Sequence, residues 1–119
     1  MQVTRWDDPA ERDYPFDGAE RRLLAFDDRL QLNYNALAEG IEYPVHVHEE
    51  TTQGMYVIEG EVEIHGDETV RIAKGDSIII PAGQRHGIRG VAPESVLMVA
   101  STPPSGCRIR SPTSKSRSR

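Results

Sequence analysis

The chain predicts an all-β fold, a sandwich or small barrel. Three observations carry that expectation. From Arg22 onward, short β-like runs recur at close spacing, with turn residues between them. The run Leu30–Leu37 alternates with the period of two that a strand requires. No stretch carries the sustained period of a long amphipathic helix, and no internal repeat is visible.

Residues 1–21 are polar and include Pro9 and Pro15, so they read as an irregular N-terminal arm. Trp6, Tyr14 and Phe16 are placed to pin that arm to the body, and a short helix over Pro9–Asp13 has only weak support. Leu23–Phe26 is the first strand. Leu30–Leu37 follows, with Leu30, Leu32, Tyr34 and Ala36 on one face and Gln31, Asn33, Asn35 and Leu37 on the other. Tyr43–His48 comes after a glycine and contains Pro44, which suits a strand end or edge.

Met55–Ile58, Glu61–His65 and Val70–Ala73 are next. His65-Gly66-Asp67-Glu68 is a tight turn between the last two, because Gly-Asp tolerates the backbone angles a hairpin needs. Ser77–Pro81 is apolar enough for a buried strand. Gly83–Gly90 and Val96–Ser101 complete the series, and Pro103-Pro104 ends the sheet.

At 119 residues the chain fits one domain, with a small core to which a partner subunit can add. We divide it into the arm (1–21), a β domain (22–107) and a basic tail (108–119). The tail is Ser-rich and almost free of apolar residues, so it is expected to be disordered. It hides an asymmetry in the net charge of −5. Residues 1–107 hold nine bases against nineteen acids, a net of −10. Such a body repels phosphates, so no nucleic-acid partner is expected.

No apolar run approaches the roughly 20 residues of a membrane span. Met1–Ala10 has no apolar stretch of a secretory signal, so a cytoplasmic protein is expected. Cys107 is the single cysteine; it can form no intrachain disulfide and is expected to be inert.

Two stretches carry the chemistry. In a strand His46 and His48 project from the same face, as two ligands of one cation must. Gln53 opens the next strand. His86 follows the Pro81-Ala82-Gly83 turn at the start of another. Imidazoles suit Zn, Cu, Fe and Ni, and an amide oxygen adds a harder ligand that Mn or Fe also accepts. His46, His48, Gln53 and His86 are therefore the candidate ligands of one divalent transition metal (Fe, Mn, Ni, Zn or Cu).

This spacing resembles the cupin superfamily. The first cupin motif, G-x5-H-x-H-x3,4-E-x6-G, is met by Gly40, His46, His48 and Gly60, with Gln53 where the acid belongs. The second, G-x5-P-x-G-x2-H-x3-N, is met by Gly75, Pro81, Gly83 and His86, with Gly90 in place of the asparagine. The resemblance implies a double-stranded β-helix, or jelly roll, with the metal in the barrel mouth. It also implies a homodimer. Three histidines with one glutamine look like the small cupins that open the ring of unsaturated uronic acids.

Glutamine is neutral, so a divalent metal held by these four groups keeps its full charge. That strengthens Lewis-acid chemistry and weakens easy one-electron cycling. Strand alternation from Gln53 places Met55 and Val57 in the pocket; alternation from His86 adds Ile88. Ile78 and Ile80 are the expected partners on the preceding strand. This lining is largely apolar. Asn33, Asn35 and Gln31 share one strand face, and Met98, Arg89, Tyr34 and Tyr56 are further candidates, each equally open to an ordinary packing role. The sequence assigns no catalytic acid or base. His65, Glu49, Glu50 and Glu59 are expected to face solvent.

Three functions are compatible with these residues. The first is a metal-dependent isomerase or lyase acting on a small sugar-like or keto/enol molecule. The second is a non-haem metal dioxygenase. The third is a non-catalytic ligand-binding cupin.

Overall fold

The computed structural model describes residues 1–7 and 12–104, and among these there are ten strands and no helix. A two-residue strand, β1 (Arg12–Asp13), leads into β2 (Ala19–Phe26), β3 (Gln31–Ala38) and β4 (Glu42–His46). Then come β5 (Thr52–Glu59), β6 (Glu61–Gly66), β7 (Val70–Ala73) and β8 (Ser77–Ile80). The last two are β9 (His86–Gly90) and β10 (Glu94–Thr102). One sheet runs β1-β2-β3-β10-β5-β8 and the other β4-β9-β6-β7, and every pairing is antiparallel. The all-β jelly roll expected from the sequence is what the chain forms.

Every expected strand is present. The first is longer than expected: β2 starts at Ala19, so a boundary at residue 22 falls inside it. Arg12 and Asp13, where a short helix had weak support, form β1; residues 8–11 lie outside the described residues. The tail 108–119 and Cys107 lie outside them too. The last predicted strand but one is shorter than expected. Residues 83–85 belong to the preceding turn, where Gly83 N–H donates to the His48 carbonyl at 2.8 Å. Gly83 has φ +86°, which only glycine adopts cheaply.

The inner face of the larger sheet is organised in layers across the strands. Gln31, Ser101, Gln53 and Ile80 are in register in one layer. Leu23, Asn33, Val99, Met55 and Ile78 form the next, and Arg21, Asn35, Leu97 and Val57 the third. Ala19 and Leu37 close the far end. The core lies between this end and the smaller sheet, where Leu37, Val57, Leu97, Val62, Ile64, Ile72 and Ile88 are buried together. Packing thus seals one end of the barrel, and the opposite end, where β4, β5 and β9 begin or stop, stays open.

The arm is pinned as the aromatics suggested. Trp6 packs edge-on against Tyr34, with ring centroids 4.9 Å apart, and the Arg22 guanidinium lies 3.6 Å from its ring centre. Phe16 meets Tyr43 edge-on at 5.2 Å. Gln2 adds a two-way hydrogen bond with the Phe26 backbone, both distances 3.1 Å. Tyr14 does not share this role and is mostly exposed.

His65 is a correction. It is not a bare turn histidine: its Nε2 lies 2.9 Å from Glu42 Oε2, and its ring is largely covered beside Gly87. The hairpin residue thereby ties β6 to β4 across β9. Glu49, Glu50 and Glu59 are exposed, and Glu59 pairs loosely with Lys74 at 3.5 Å.

Candidate metal centre

His46 ends β4 and His86 begins β9, where the two are a cross-strand pair. His48 lies just beyond β4 and is buried. The three rings have centroid separations of 4.5, 4.8 and 5.4 Å, and each offers a nitrogen within 4.8 Å of the others. Gln53 arrives from the other sheet, and its Oε1 lies 3.1 Å from His86 Nε2. The four expected ligands are therefore brought together at the open end of the barrel: His46 and His86 from one sheet, His48 from just past its β4, and Gln53 from the other sheet.

The hydrogen bonds orient the rings for ligation. His46 Nδ1 is 2.8 Å from the Pro44 carbonyl and His86 Nδ1 is 3.0 Å from the Gln84 carbonyl. A carbonyl can only accept, so each Nδ1 carries the proton and each Nε2 presents a lone pair. In His86 that lone pair faces the Gln53 amide oxygen, and the amide's Nε2 donates to Ser101 Oγ at 3.0 Å. Two acceptors aimed at each other repel unless a cation lies between them. Ligands about 2.1 Å from one ion are about 3 Å apart when they meet at right angles, as in an octahedral site, so the spacing suits a shared metal. The donor set fits a divalent transition ion.

Burial and neighbouring imidazoles favour the neutral forms of His48 and His86. His48 is lowered to about 4, mainly by desolvation and then by His46 and His86. His86 is lowered as well, by desolvation, against the pull of the Gln84 carbonyl. Neutral imidazoles are the form a metal binds, so protons compete weakly at neutral pH.

A cavity of about 280 Å³ runs inward from this cluster. Of the pocket residues named from the sequence, Asn33, Asn35, Met55 and Ile88 line it. Four other expected lining residues do not. Val57 and Ile80 share the inward face of their strands but are sealed in the core, at 0% and 2% exposed. Ile78 packs against the same core. Met98 faces the other way: it sits between the inward Leu97 and Val99, in register with Tyr34 and Tyr56 on the outer face. Arg89 is paired with Glu63 at 2.9 Å and is not part of the cavity wall.

The lining is more polar than expected. Arg21, Gln31, Tyr43 and Ser101 join the two asparagines. Ser101 was legible from the alternation Leu97, Val99, Ser101. Arg21 would have followed from extending the first strand back to Ala19, since Ala19, Arg21 and Leu23 are its buried positions. Tyr43 was hidden by a shift of register between it and His46, which turns both residues inward although three positions separate them.

Comparison with known proteins agrees with this architecture. The cupin-domain family model matches residues 35–101, which hold all four candidate ligands. The chain belongs to the cupin domain family. Among solved structures, this cupin resembles KdgF from Halomonas sp. with a TM-score of 0.81 and 21% identity, covering 92% of this chain and 100% of that one. An RmlC-like cupin from Shewanella frigidimarina has a TM-score of 0.75 and 26% identity, over 87% and 96% of the two chains. The polyketide cyclase RemF from Streptomyces resistomycificus has a TM-score of 0.72 and 23% identity, over 98% and 92%. No curated protein matches the sequence. Among the described residues no helix is long and apolar enough to cross a membrane.

Proposed function

We propose that this cupin is a metal-dependent enzyme that acts on a small sugar-like or keto/enol molecule, by isomerase or lyase chemistry. The observation that carries the reading is the ligand set: three imidazoles and one carboxamide, none of them an anion, converging at the mouth of a cavity with apolar walls and a few polar side chains. A divalent ion held there supplies Lewis acidity, polarising a carbonyl or hydroxyl oxygen. The chain's own residues do the rest. Pro44 and Gln84 fix the ring tautomers through their carbonyls, Ser101 holds the Gln53 amide, and the apolar walls of Met55, Leu97 and Val99 limit water.

The same reading places a small-molecule substrate in the cavity, in a cytoplasmic homodimer. Tyr56, Ile58 and Ile79 are exposed on the outer face of β5 and β8, an apolar surface that a second copy would cover. The mass in solution tests that part.

Turnover tests the chemistry. Protein loaded with Zn or Mn and kept free of oxygen should convert a sugar acid or keto acid, and Gln53→Glu should keep the metal but slow the reaction. Oxygen consumption with Fe, Ni or Cu, and no anaerobic turnover, would assign the site to a dioxygenase. Binding without turnover under either condition would make it a ligand-binding cupin.

A further inference from the structure

The cavity has a second polar pole, away from the histidines. Arg21 occupies an inward position on β2, and its side chain is 10% exposed. An arginine there is costly unless its charge is met. Asp13 of β1 meets it through one hydrogen bond, Nη2 to Oδ2 at 2.6 Å, which uses one of five guanidinium N–H donors. Pinning β1 to β2 does not require this inward pair. Arg12 of β1 already bridges to Glu20 of β2 on the outer side at 3.1 Å, and Glu20 is held in turn by Arg22 of its own strand at 3.0 Å.

Three more groups on the cavity wall are buried and have no protein hydrogen-bond partner: Gln31 Oε1, Asn35 Oδ1 and the Tyr43 hydroxyl. Each such group destabilises the fold unless something meets it. Asn35 is directly across the strand pair from Arg21. Tyr43 is raised to about 12 by burial, so its hydroxyl stays a neutral donor. The Arg21–Asn35 layer lies four residues along β3 from the Gln31 layer beside the metal ligands. At about 3.4 Å per residue that is about 14 Å between strand positions.

We propose that Arg21 is the recognition residue for the carboxylate of a small hydroxy acid, which lies along the cavity with its other end toward His46, His48 and His86. The carboxylate takes guanidinium N–H groups left over from Asp13, while Asp13 holds the guanidinium from behind. Ligand hydroxyls donate to the Gln31 and Asn35 oxygens, and Tyr43 donates to a ligand oxygen. The direction in which the ligand lies rests on the metal-dependent reading above; anion recognition by Arg21 does not.

Calorimetric titration of the zinc-loaded protein with galacturonate and with its uncharged methyl ester tests the assignment. The wild type should prefer the acid by about tenfold or more, the range of a charge-assisted hydrogen bond. Arg21→Gln should erase that preference and leave ester affinity within about twofold. Arg21→Lys, which keeps the charge but loses the fork, should reduce the preference several-fold; it decides the matter if the glutamine variant does not fold. Asp13→Asn should retain a preference for the acid. The His46→Ala/His86→Ala double variant should also retain it, so a failure of the metal reading leaves this result intact. An unchanged preference in the Arg21 variants, equal affinity of acid and ester in the wild type, or binding of neither overturns the proposal.

Discussion

The two poles of the cavity are built in different ways. At the mouth, His46, His48, Gln53 and His86 come from two short stretches whose spacing is fixed by turns: Gly83 ties one stretch to the other through the His48 carbonyl. At the inner pole, Arg21, Asn35 and Tyr43 come from three strands, one of them with a register shift, and no short motif links them. The first pole holds its residues by local geometry. The second holds them by strand register and by the single contact to Asp13. One consequence is that changes at the mouth should act on metal affinity, while changes at the inner pole should act on ligand choice.

The sharpest way to break this contrast is at Gln53. Gln53→Ala should weaken metal binding by about 100-fold or more in a competition with a chelator, since even loss of an outer-shell partner typically costs about 10–100-fold. Wild-type affinity and reactivity in that variant would remove Gln53 from the ligand set. Ser101→Ala tests the support one step back. Its hydroxyl accepts from the Gln53 amide, so metal affinity should fall by about tenfold, the lower end of the loss typical for an outer-shell partner, with the amide still present.

Acidity separates the mouth from the rest of the fold. In the unfolded chain His48 titrates near 6.5, but folding lowers it to about 4. Between these values the unfolded chain binds more protons, so the stability of the metal-free protein should fall as pH drops from 7 to 4. His48→Gln should flatten that part of the melting-temperature profile. A metal-free wild type whose melting temperature is constant over this range would contradict the burial of a neutral cluster.

Smaller effects are expected away from both poles. Trp6→Ala removes the ring that meets Tyr34 and Arg22, and should destabilise by about 1 kcal/mol in chemical denaturation without altering metal content. Removal of residues 108–119 should change neither the melting temperature nor the metal content. A large loss of stability would contradict the sequence-based expectation for that tail.

The legible part of the molecule was the part set by local rules. Glycine and proline turns, period-two alternation and the histidine spacing gave nearly all the strands and placed the four candidate ligands at one point. Alternation failed where a second influence enters. Val57 and Ile80 obey it, but they pack into the core while their layer neighbours Asn35, Leu97, Gln53 and Ser101 form the cavity wall. Tyr43 escapes it because of the irregularity in β4. Arg21 escaped because a strand read from its apolar residues begins at Leu23, whereas pairing with β3 carries it back to Ala19. An arginine on an inward face is a signal of its own once the strand is known to extend that far.

The central claim is a neutral four-ligand metal centre, and metal content tests it most directly. Protein purified without added metal should be measured by elemental analysis beside His46→Ala. The account predicts close to one transition-metal ion per chain in the wild type, directly or after loading, and a loss of stoichiometric binding in the variant. A wild type that takes up no metal, or a variant at full occupancy, would contradict it.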